Sequence, residues 1–91
     1  METPIPFLKK VQSDYNIRIP QHVSRDERIE HGDIVEVQIK KGPEETHLTL
    51  PVGRWGELYI PREAREALNI QKGDILETEI QNILRREVRK K

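Results

Sequence analysis

The sequence predicts a mostly β domain with two short helices, built from two internal repeats, and three observations carry that prediction. A shift that lays Val11 on Val52 superposes residues 11–40 on 52–81 without a gap. Identity then falls at Val11/Val52, Ile19/Ile60, Pro20/Pro61, Ile29/Ile70, Gly32/Gly73, Asp33/Asp74, Ile34/Ile75, Glu36/Glu77 and Ile39/Ile80. Such self-similarity marks a fold made of recurring supersecondary units. Second, short stretches alternate between apolar and polar residues, as half-buried strands do. Third, both copies place a proline after the first alternating stretch and Gly-Asp before the next.

Each element follows in order. Residues 7–11 form a short strand, and after a turn Ile17-Arg18-Ile19 alternates as a second. Pro20 ends it and suits a helix start, where a backbone N–H has no partner anyway. The first helix carries Asp26 and Glu27 where its mate has Ala67 and Leu68, so it is expected to be shorter or more exposed. In Ile29-Glu30-His31-Gly32-Asp33 the glycine turns the chain, with φ > 0 expected at Gly32 and Gly73. Val35, Val37 and Ile39 then oppose Ile34, Glu36, Gln38 and Lys40 along a strand, and Lys41-Gly42-Pro43-Glu44-Glu45 forms a linker or hairpin loop.

The second copy repeats the series: strand 48–52, then Leu58-Tyr59-Ile60, Pro61, and a helix with Ala64, Ala67 and Leu68 on one face. The Ile70-Gln71-Lys72-Gly73-Asp74 turn and a strand from Ile75 to Ile80 complete it. The chain therefore divides into repeat 1 (about 7–40), a linker (41–45), repeat 2 (about 46–81) and a basic tail (82–91), all in one domain spanning 1–91. Ile83, Leu84 and Val88 leave open a final strand or a docked helix, and Arg89, Lys90 and Lys91 form a frayed end. A repeat this small cannot bury its apolar face alone, so the halves pack on each other.

Composition narrows the function. With 91 residues, no cysteine, and 34% hydrophobic against 35% charged residues, the chain has no disulfide staple or thiolate nucleophile and is too short for a large catalytic fold. No apolar run reaches five residues, so a membrane partner is not expected and the cytoplasm is the default location. Sixteen basic and sixteen acidic residues cancel overall, but residues 85–91 hold five basic side chains against Glu87 alone. His22, His31 and His47 form no metal-ligand spacing, and Ser13 and Ser24 lie in no nucleophile motif. No glycine-rich phosphate loop is present, so neither enzyme activity, a metal, nor a cofactor is expected.

The segment from Val52 to Glu77 resembles the AbrB/SpoVT/MazE family of swapped-hairpin DNA-binding domains. The likeness lies in a hairpin turn ending at Gly56, the Ile60-Pro61 step, a short helix with Arg62 and Arg65, and Leu68-Asn69-Ile70-Gln71-Lys72-Gly73-Asp74 before a strand. The first repeat matches in outline, with Tyr15 where Gly56 stands, and the two cover roughly residues 7–81. Gly53 and Glu57 depart from the acidic residue and the arginine that many members carry around this turn. Because family members interleave hairpins from two chains, the resemblance implies an AbrB-like swapped-hairpin β-barrel made as a fused pseudo-dimer, either monomeric or further dimerised.

It also implies DNA contacts from the first strand, the hairpin turn and the helix start: Lys9, Lys10 and Arg25 in one half, Arg54, Arg62 and Arg65 in the other. Such side chains give charge-assisted phosphate contacts, and arginine adds bidentate readout of guanine. They are alternatively solvated charges, with Arg62 paired to Glu66 one turn away. Trp55, the only tryptophan, is expected to cover the end of the barrel rather than stack on a sugar or fill a partner's pocket. The expected function is a small transcriptional regulator that binds double-stranded DNA. The alternative is an antitoxin-like or assembly module with a protein partner and no DNA binding, which the zero net charge favours.

Overall fold

The computed structural model of the chain describes residues 4–86. The elements are β1 (Ile5–Lys10), β2 (Asn16–Arg18), α1 (Gln21–Glu27), β3 (Ile34–Lys41), β4 (Glu44–Pro51), β5 (Glu57–Tyr59), α2 (Arg62–Leu68) and β6 (Ile75–Leu84). The second member of each of the pairs β2/β5 and α1/α2 lies at the 41-residue offset of the sequence match. Only Gly42 and Pro43 of the expected 41–45 linker stay outside the strands. β6 runs past residue 81 to Leu84, so Ile83 and Leu84 join a strand and not a helix. The frayed end assigned to Arg89, Lys90 and Lys91 lies outside the described residues.

Four strands form an antiparallel sheet in the order β1-β6-β3-β4, and β2 pairs with β5 in a second ladder. Each of these ladders joins the two halves of the chain: β1 to β6, β6 to β3, β3 to β4 and β2 to β5. The interlock continues in the loops, where Val11 N–H donates to Asp74 O at 2.8 Å and Val52 N–H to Asp33 O at 2.8 Å. Ile19 N–H donates to Gly56 O and Ile60 N–H to Tyr15 O, each at 2.9 Å.

The expected closed barrel does not form. β2 and β5 are three residues long, cut short by Pro20 and Pro61, and each has only the other as a strand partner. β1 and β4 therefore remain the edges of an open sheet.

The core repeats as the sequence does. Val11/Val52, Ile17/Leu58, Ile19/Ile60, Val23/Ala64, Ile29/Ile70, Val35/Leu76 and Ile39/Ile80 are all buried. Both helices have seven residues, so of the two alternatives expected for the first, shorter or more exposed, it takes the second. Each starts after a proline and ends at a left-handed residue, Arg28 (φ 57°) or Asn69 (φ 54°), so backbone signals and not apolar content fix the length. Apolar content fixes burial instead: α1 buries Val23 alone, whereas α2 buries Ala64 and Leu68. Ala67, expected on that face, points to solvent beside the Ala64–Leu68 stripe.

Gly32 and Gly73 take φ values of 95° and 90° at the third position of matching turns, as expected. Asp33 and Asp74 close those turns by accepting the Glu30 and Gln71 N–H groups at 2.9 and 2.8 Å. A cation then clamps each turn to the preceding helix end. Lys41 Nζ lies 2.9 Å from Asp74 and donates to the Asn69 carbonyl. Arg85 donates to the Glu27 and Arg28 carbonyls at 2.8 and 2.7 Å and lies 3.7 Å from buried Asp33. The Gln71 N–H, and after it the Lys41 ammonium, hold the Asp74 carboxyl below its ordinary value of 3.8. Among the described residues no helix is long and apolar enough to cross a membrane.

Candidate functional site

Where the buried core departs from its own repeat, polar side chains take the place of apolar ones. Val37 has buried Thr78 as its mate, Leu68 has Glu27, and Leu50 has Lys9. Lys9, half-buried on β1, thus carries a charge into a position that the other half fills with leucine.

That charge opens onto a cleft of about 490 Å³, within the range of small-ligand sites. Buried Ile19, Ile29 and Val52 are among its lining residues and give it an apolar floor. Lys9, Arg18 and Arg54 supply cations, and His31 and Trp55 complete the polar and aromatic wall. Among the described residues no Asp or Glu lines it. Among the described residues none of the three cations makes an ion pair. The nearby Glu57 carboxylate folds against Gly53 and accepts the Trp55 N–H at 2.8 Å, which fixes the turn that presents the indole.

Trp55 is 69% exposed, so it does not cover the end of the fold as expected. The buried β-branched and leucine side chains already fill the core, and the turn carries the indole outward.

The six basic residues singled out by sequence separate into different settings. Lys9 and Arg54 meet in the cleft. Lys10 is exposed at the end of β1, and Arg25 is exposed in the last turn of α1. Arg62 pairs with Glu66 at 3.2 Å on the surface of α2. Arg65 is held by tyrosines: its guanidinium lies 4.2 Å from the Tyr15 ring centre and 5.6 Å from that of Tyr59, and it donates to the Tyr59 hydroxyl at 3.0 Å. Among the described residues no three His, Asp or Glu side chains gather as metal ligands do.

No protein-family model matches the chain, and no curated protein sequence aligns with it significantly. A solved structure does. The solution structure of PHS018 from Pyrococcus horikoshii is similar with a TM-score of 0.82 and 29% identity, covering 94% of this chain and 98% of that one. The likeness thus spans both repeats.

Sequence reasoning missed Arg18 and His31. Arg18 is the polar residue of the Ile17-Arg18-Ile19 alternation, and its outward position was readable. His31 precedes a turn glycine, and nothing local ties it to Lys9 or Arg54; only the packing of the two halves does.

Proposed function

We propose that the chain is a small DNA-binding protein, a transcriptional regulator of AbrB type whose two repeats do in one polypeptide what swapped hairpins do in two. The interleaving of strands from both halves supports the architectural part of this reading. One observation carries the functional part: Lys9, Arg18 and Arg54 converge in a cleft that no carboxylate of the described residues lines, beside an exposed tryptophan. Unpaired cations release counterions from a phosphate backbone on binding, and arginine adds directional contacts. Since the cleft belongs to one side of the repeat, the preferred duplex site is asymmetric rather than palindromic.

Fluorescence anisotropy of a labelled duplex at several salt concentrations tests this. Affinity should fall with a slope of about −0.9 per phosphate neutralised, and Lys9→Ala with Arg54→Ala should reduce that slope by about two. Arg62→Ala should leave it unchanged, because Glu66 already neutralises Arg62. An unaltered affinity and slope in the double variant would refute the assignment.

A protein-interaction module is the second reading, favoured by the exposed apolar residues on edge strand β1 and on β6 beside it. Leu8 on β1 and Ile75 on β6 are each 62% exposed and sit diagonally across the ladder, Leu8 opposite Glu77 and Ile75 opposite Lys10.

A further inference from the structure

The cleft has a positional mate, and the two have diverged. At the 41-residue offset Gly56 corresponds to Tyr15, Ser24 to Arg65, Arg18 to Tyr59 and His31 to Lys72. In the mate those larger side chains pack together. Arg65 lies over the Tyr15 ring and donates to the Tyr59 hydroxyl, and Lys72 Nζ lies 5.2 Å from the Tyr15 ring centre. In the cleft, glycine and serine stand where the plug would be. A Cβ on Gly56 would come into ordinary contact with Ser24 Oγ at 3.7 Å, so the two small residues face each other across the cleft with no larger side chain between them. One copy is closed by its own side chains, and the other is kept open.

We infer that the open cleft is a binding site for a nucleotide, with the phosphate held by Lys9, Arg18 and Arg54 and the base against the Trp55 indole. Three unpaired cations need an anion of more than one acceptor, and phosphate suits the arginine fork. The apolar floor of Ile19, Ile29 and Val52 and the exposed indole suit a planar ring, which a bare oxyanion lacks. A free mononucleotide and the terminal nucleotide of a strand share this chemistry. The inference goes beyond duplex binding and requires only that the cleft take one nucleotide.

Trp55 is the sole tryptophan, so its emission reports on the cleft in the full chain. Titration with the four nucleoside monophosphates, adenosine, inorganic phosphate, a short 5′-phosphorylated single strand and an unrelated duplex gives the test, with calorimetry as a second readout. Saturable binding of at least one mononucleotide is expected, tighter than that of adenosine or phosphate alone. If the strand binds and all free nucleotides fail, the source is a strand terminus and the site stands.

Arg18→Ala should weaken nucleotide binding about ten- to hundredfold, the change that losing a charge-assisted hydrogen bond brings. Ser24→Arg with Gly56→Tyr transplants the plug, and Tyr15 shows that tyrosine is accommodated at this backbone position. That variant should lose binding even though it gains a positive charge. Arg18→Ala alters only an exposed side chain and serves where the plugged chain fails to fold. No saturable response to any mononucleotide or to the strand, an equal response to inorganic phosphate, or full binding by a folded plugged variant overturns the inference. The duplex arm is read separately: duplex binding with no nucleotide response removes this inference and leaves the DNA reading, and the converse removes the DNA reading alone.

Discussion

Tyr15 holds a left-handed backbone position, φ 60°, which costs an L side chain about 1–2 kcal/mol. Two cation–π contacts, from Arg65 and Lys72, are worth about 0.5–1 kcal/mol each and offset much of that cost. Gly56 occupies the matching position at φ 79° without strain and without a side chain, and the open cleft follows from that exchange. Gly73 offers the clean measurement of such a constraint, because a Cβ there would meet nothing within 4 Å. Gly73→Val should therefore destabilise by about 2 kcal/mol through φ alone, read as a lower urea midpoint with unchanged slope. A loss within experimental error would show that the turn accepts any residue. The sequence made this legible because Gly-Asp recurs in both repeats, whereas the outward turn of Trp55 depends on Glu57 and Gly53 and had no such signature.

At the scale of elements, the strands and helices were readable where backbone signals repeat. Pro20 and Pro61 start both helices and cut both short ladders, so equal helix lengths were written in the prolines, and the acidic residues at 26 and 27 altered burial only. The clamps between turn and helix end were not readable. Lys41 and Arg85 lie 28 or more residues from the carbonyls they cap, and Arg85 stands three residues beyond the 41-residue offset from Lys41, only one of them the extra residue of a bulge in β6. Their electrostatics predict a pH dependence. The Asp74 carboxyl is held below 3.8 in the folded chain, so the unfolded chain takes up the proton first as pH falls. The stabilisation is present above the unfolded value and disappears as pH drops through the folded one. Wild type should thus exceed Asp74→Asn in stability at about pH 7, with the gap closing towards about pH 2. A gap independent of pH would place the contribution in packing rather than charge.

For the whole molecule, the decisive fact is that every strand ladder crosses between halves. Neither half pairs its own strands with each other, and the core is buried at seven pairs of equivalent positions. Thermal unfolding should therefore be one transition with matching calorimetric and van't Hoff enthalpies, and residues 46–91 alone should be unfolded or self-paired. Two transitions, or a folded monomeric half, would contradict this. Equivalence of the halves was visible in the sequence; their divergence at the surface was visible only as mismatched residues, with no indication that Lys9, Arg18, His31 and Arg54 meet. Function is assigned to that divergence, and an NMR titration of the isotope-labelled full chain with a short duplex tests it most directly. Amide shifts should gather at Lys9, Arg18, Ser24, His31 and residues 54–56, leaving the mates Leu50, Tyr59, Arg65, Lys72 and residues 13–15 unmoved. Perturbations centred on the Tyr15–Arg65 side or on Leu8 and Ile75, or none at all, would contradict it.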